Sequence, residues 1–119
     1  MTNEVLNFAA EKTRELIAAP TCSPETRAAA ERWLAALGTE SEADETKRYM
    51  AELEADIMPV DQLIAFAASE AGASYFGADT AKNIAGHARQ IKADGALYCD
   101  CPACAAVEAI LKRKDELLG

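Results

Sequence analysis

The sequence predicts an all-α protein, a single-domain up-down bundle of about six short helices. Three observations carry this. Alanine runs such as Ala28-Ala29-Ala30 and Ala65-Phe66-Ala67-Ala68 recur, and alanine loses the least on entering a helix. β-branched residues are sparse and never cluster, which argues against a sheet. Cap residues and prolines divide the chain at helix-length intervals. The 119 residues suit one domain and half of them are hydrophobic, so a real core needs neither metal nor disulfides merely to form.

The first helix is expected over about residues 3–18, with Val5, Phe8, Ala9, Leu16 and Ile17 on or near one stripe and Pro20 as its stop. The second opens at Ser23 as N-cap with Pro24 in the first helical position. Its stripe is Ala29, Ala30, Trp33, Leu34 and Leu37, and Gly38 ends it. The third opens near Ser41 and places Tyr49, Met50, Leu53 and Ile57 at amphipathic spacing. Its other face carries Glu42, Asp44, Glu45, Glu52, Glu54 and Asp56. Without convergent oxygens or a glycine-bearing loop, that reads as a solvated face and not a divalent-ion site.

The fourth helix is expected from about Pro59 to Ala73. It is apolar on more than one side, through Val60, Leu63, Ile64, Phe66, Ala67 and Ala71, which predicts a central, well-buried position. Ser74-Tyr75-Phe76-Gly77 reads as a turn. The fifth helix opens at Asp79 and runs to about Ala93, with Gly95 beyond it. The last opens at Cys101-Pro102 and continues to about Leu118, turning Val107, Ile110, Leu111, Leu117 and Leu118 inward. Short connections make successive helices antiparallel neighbours.

Charge excludes one class of partner. The net charge of −8, from 12 basic and 20 acidic side chains, offers no footprint for nucleic acid. The one basic run, Lys112-Arg113-Lys114, sits near the end of the last expected helix beside Asp115 and Glu116, where it complements the helix dipole. No stretch approaches the ~20 apolar residues of a membrane span. Met1-Thr2-Asn3-Glu4-Val5 lacks a basic segment followed by an apolar run, so no signal peptide is expected. The expected location is the cytoplasm, where thiols stay reduced and clustered cysteines serve metal or redox chemistry.

Three of the four cysteines fall within six residues: Cys99-Asp100-Cys101-Pro102-Ala103-Cys104. A structural zinc ion takes four tetrahedral ligands, and thiolates suit it. The C-x-x-C half lets one turn of backbone aim two sulfurs at one ion, and a helix start favours the deprotonated ligand. Loop parity supplies the fourth ligand. In an up-down bundle the connection bearing Cys22 and the connection bearing the cluster share one end, so Cys22, Cys99, Cys101 and Cys104 form the expected site. His87 is the competing fourth ligand. It lies about 10 Å down the bundle from the connection bearing the cluster and between Ile84, Ala88 and Ile91, so it is expected to be a core or partly buried histidine.

Three other readings stay open. An iron–sulfur cluster also uses four cysteines, although the spacing matches neither common ferredoxin pattern. A Cys101–Cys104 dithiol at a helix start suits redox chemistry, although the βαβ pattern of thioredoxin-like proteins is missing. The cysteines also pack well as small hydrophobes. Catalysis is disfavoured. No nucleophile–base–orienter set, G-x-S-x-G or phosphate loop occurs, and a catalytic zinc would need an open position, which three cysteines plus water would supply if Cys22 is not a ligand.

The stretches Leu53-Glu54-Ala55-Asp56-Ile57-Met58-Pro59-Val60-Asp61 and Tyr98 to Leu111 resemble a family of short bacterial all-helical, cysteine-containing proteins whose members often carry a heat-shock chaperone label of the ninety-kilodalton type. The resemblance covers nearly the whole chain. It implies a compact helical protein with a cysteine-rich carboxyl segment and brings no catalytic residues. The expected function is therefore non-catalytic metal binding in a regulatory, stress-related or protein-interaction module, with a protein as the expected partner. The alternative is a thiol redox or iron–sulfur electron-transfer protein using Cys101–Cys104.

Overall fold

A computed structural model describes residues 3–119. Among these there are eight helices and no strand: α1 (Asn3–Ala18), α2 (Pro24–Ala36), α3 (Glu42–Asp56), α4 (Val60–Ala67), α5 (Glu70–Phe76), α6 (Ala78–Ala93), α7 (Pro102–Leu111) and α8 (Lys114–Leu118). The protein is all-α. The chain forms two compact units. One comprises the residues up to Ile57 together with Asp100–Gly119, and the other is the inserted segment Met58–Cys99.

In the first unit α1 packs on α7 and α2, α2 on α3, and α3 on α7 and α8. The caps act as the sequence requires. Ser23 Oγ accepts the Thr26 amide at 3.2 Å, and Pro24 opens α2. Gly38 follows the C-cap at φ +79°, a left-handed geometry that suits glycine. The core is built on Val5, Leu16, Trp33, Tyr49, Met50, Leu53 and Ile110. Phe8 and Ile17, expected on the α1 stripe, are only half-buried. Thr13 is instead among the buried residues of α1.

Thr13 is buried because its Oγ1 shares a 2.8 Å hydrogen bond with the Tyr49 hydroxyl, joining α1 to α3. Trp33 stacks on Tyr49 with ring centroids 5.1 Å apart, and its Nε1–H donates to Thr46 Oγ1 at 2.9 Å. Each buried polar atom is therefore satisfied, as burial demands. The acidic face of α3 is partly paired: Glu45 meets Arg32 at 3.0 Å and Arg48 at 3.5 Å, and Glu54 meets Lys114. Burial pushes the Tyr49 phenol up to about 12; the nearby Cys22 adds to this, and the Thr13 hydrogen bond opposes it.

That shift has a sign. The folded state holds the phenolic proton more tightly than the unfolded chain, where tyrosine titrates near 10. The contribution is intact below about pH 10 and is lost as pH rises towards 12, roughly 2–3 kcal/mol in all. Tyr49→Phe is expected to flatten this alkaline decline, measured by urea unfolding at several pH values from neutral to strongly alkaline. An identical decline in parent and variant would assign it to other groups.

The inserted unit packs α4 on α6, α5 on α6 and α4 on α5. Its small core joins Val60, Leu63 and Ala88, with Ile64, Ile84, Ile91 and Cys99 packed against them. Its two ends run side by side: Val60 N–H donates to Leu97 O at 2.9 Å, Cys99 N–H donates to Met58 O at 2.8 Å, and Pro59 and Tyr98 form an isolated antiparallel bridge.

Here the expected elements need correction. The fourth helix does not run unbroken to Ala73. It stops at Ala67, where Ser69 Oγ donates to Phe66 O at 2.6 Å and accepts the Gly72 amide at 3.1 Å, capping a new helix. Nor is α4 central. One face is buried, through Val60, Leu63 and Ala67, while Phe66 remains 37 % exposed. Ser74–Phe76 is helical and not a turn; Gly77, at φ +86°, divides α5 from α6, and Asp79 lies in the first turn of α6 without capping it. The last helix also breaks, at Lys112–Arg113. Arg113 there lies 4.9 Å from the centre of the Phe8 ring and pairs with Glu116 at 2.7 Å and Glu4 at 3.4 Å. The basic run thus straddles a helix break and is matched by carboxylates.

Candidate metal centre

Local geometry builds the cysteine segment from both of its ends. Upstream, Cys99 is held by its backbone bond to Met58 and by apolar packing in the inserted unit. Downstream, Cys101 is the N-cap of α7, extended at φ −61° and ψ 158°, with Pro102 next. Its Sγ accepts the Cys104 amide at 3.4 Å. A sulfur in the N-cap role thus satisfies one of the helix's open donors, and a donor aimed at sulfur favours the thiolate that a metal needs. The Ala103 amide donates to Thr21 Oγ1 at 3.2 Å, which fixes the start of α7 to the α1–α2 turn.

The outcome is a convergent trio. The sulfurs of Cys99, Cys101 and Cys104 lie within 4.8 Å of one another. Cys101 and Cys104 are partly exposed thiols. Among the described residues this is the one group of three or more cysteine, histidine or acidic side chains with such convergence. Three sulfurs at that separation fit around one ion with metal–sulfur bonds of about 2.3 Å. The segment can therefore hold a metal ion.

Cys22 stands outside that trio. The α1–α2 turn that carries it does lie against the start of α7, where the neighbouring Thr21 accepts the Ala103 amide. The side chain at 22 goes the other way. It is buried and donates to the Ser23 carbonyl at 3.5 Å. Burial pushes its thiol up, Arg27 opposes this, and Asp56 adds to it. One residue of register separates an exposed hydroxyl at the α7 cap from an inward thiol.

His87 is neither in the core nor in the trio; it is exposed on α6. The buried positions are Ala81, Ala85 and Ala88, flanked by Ile84 and Ile91. Each residue rotates a helix by about 100°, so His87, one step before the centre of that stripe, falls beside it. Phe66, Tyr75 and Phe76 form an edge-on aromatic group, with centroids 4.9–6.1 Å apart. Their separation in sequence across a helix break hides that grouping. No helix among the described residues is long and apolar enough to cross a membrane. No family model, curated protein or solved structure matches this chain.

Proposed function

We propose that this chain is a non-catalytic, cytoplasmic metal-binding protein whose ion is zinc, held by Cys99, Cys101 and Cys104. One observation carries the reading: three sulfurs from one short segment lie within 4.8 Å of one another. Zinc follows from the ligand chemistry, because a borderline-soft ion without redox activity suits clustered thiolates. The ion ties the start of α7 to the residues just before it, so loading stabilises the folded chain. Three protein ligands leave one tetrahedral corner, which a donor from a protein partner would close. The role that follows is regulatory or interaction-based.

The test is elemental analysis of protein purified without chelator, followed by zinc titration of the reduced protein. One equivalent is expected, in a colourless sample. Cys101→Ser and Cys104→Ser are each expected to weaken binding by more than about 100-fold, beyond the loss typical of an outer-shell change. Cys22→Ser and His87→Ala should retain the full equivalent, because neither side chain belongs to the trio. Loss of metal in Cys22→Ser would restore the four-cysteine site. Brown colour with bound iron and sulfide would replace zinc by an iron–sulfur cluster, and no metal at all would remove the proposal.

A further inference from the structure

We infer that the same cysteine segment is a peroxide-responsive release site, in which a Cys101–Cys104 disulfide forms and ejects the ion; the ejection rests on the zinc reading above, while the disulfide does not. Cys101 and Cys104 are both partly exposed, whereas Cys22 is buried. A small oxidant therefore meets the sulfurs of Cys101 and Cys104 and is kept from Cys22. Reactivity of this kind requires thiolate character and access together.

Geometry then selects the pair. Cys101 and Cys104 stand at the N-cap and third position of α7, and the Cys104 amide is 3.4 Å from Cys101 Sγ. The Cys101 sulfur therefore already lies over the turn that carries Cys104. Positions one helical turn apart suit the Cα separation of about 4.4–6.8 Å that a disulfide needs. Cys99 lies two residues before Cys101 and outside that helical turn. The C-x-x-C pair is the one that the helix cap already joins through a hydrogen bond to sulfur.

The chemistry balances with hydrogen peroxide as the oxidant. A Cys101 or Cys104 thiolate attacks one peroxide oxygen. The S–O bond forms, the O–O bond breaks, and the departing hydroxide takes a proton to leave as water. The partner thiolate then attacks the sulfenic sulfur. The S–S bond forms, the S–O bond breaks, and the second oxygen leaves as hydroxide, then water. Peroxide gains two electrons and the sulfur pair loses them. With two of its three thiolates gone, the site keeps Cys99 alone, which is too few ligands to hold zinc.

The experiment treats reduced, zinc-loaded protein and chelator-stripped protein with hydrogen peroxide. A chromogenic chelator reads released zinc, and mass mapping locates the disulfide. Cleavage on the amino side of Asp100 parts Cys99 from Cys101 and Cys104, so the expected carboxyl fragment is lighter by two hydrogens and carries no attached Cys99 fragment. The same mass change is expected in the stripped protein, in Cys99→Ser and in Cys22→Ser, and is lost in Cys104→Ser. Far-UV circular dichroism confirms that each variant folds. A disulfide through Cys99 or Cys22, unreacted thiols, or zinc that stays bound after the pair has closed would each overturn the inference. If zinc titration fails but the Cys101–Cys104 bond forms, the metal reading falls and the disulfide stands. If zinc binds and no such bond forms, the release mechanism falls alone.

Discussion

Trp33→Ala is expected to destabilise the first unit by about 3–5 kcal/mol. That is a large share of the ~5–15 kcal/mol that separates folded from unfolded chains. Trp33 is fully buried on α2. Its ring stacks on Tyr49 at 5.1 Å, and its Nε1–H donates to Thr46 Oγ1 at 2.9 Å. Thr46 in turn donates to Glu42 O at 2.7 Å, and Tyr49 shares its hydroxyl with Thr13 of α1. Truncation therefore opens a cavity where α2 meets α3 and removes the stacked neighbour of the tyrosine that reaches α1. Trp33→Phe keeps an aromatic ring and gives up the indole hydrogen bond, so a smaller loss of about 1–3 kcal/mol is expected. Urea unfolding followed by circular dichroism reads both. A Trp33→Ala variant within about 1 kcal/mol of the parent would show that this stack is not the keystone of the unit.

The second large effect belongs to the inserted unit. Gly72→Ala is expected to cost about 3 kcal/mol, the upper range for overpacking. A Cβ at position 72 would collide with the Phe66 carbonyl oxygen and stand 2.8 Å from its carbonyl carbon. Both obstacles are backbone, so no side chain can rotate away. Glycine is what lets α5 fold back so closely on the end of α4. Gly86→Ala supplies the opposite sign from the same chemistry. Position 86 has nothing within 4 Å of a built Cβ and lies inside α6. That change should stabilise by about 0.5–1 kcal/mol through helix propensity. Hydrogen exchange across Met58–Cys99 separates the two outcomes. Equal protection in both variants would contradict the close approach at Gly72.

Much of the secondary structure is legible because its causes are local. Ser23-Pro24 starts a helix through a side-chain cap and a fixed φ, and Gly38 ends it by accepting a left-handed backbone. The spacing of Tyr49, Met50 and Leu53 is enough to name the buried face of α3. The two missed breaks have a different origin. At Ser69 the hydroxyl competes for backbone groups that a continuous helix would use. At Arg113 a helix ends where its side chain engages Phe8, Glu4 and Glu116. Periodicity alone runs through both points, since the apolar pattern continues on either side.

By itself the sequence determined the helical class, most helix boundaries and the convergent cysteines, because each depends on residues within a turn or two of one another. Cys101 and Cys104 meet through a single helix cap, and Cys99 is two residues away along the chain. Tertiary structure decided the rest. It turned Cys22 inward while its neighbour Thr21 met α7, buried Thr13 against Tyr49, left His87 exposed and divided the chain into two units. These outcomes depend on which helix arrives opposite a given side chain. A rotation of about 100° or a shift of one residue moves a group from core to surface without altering any local pattern.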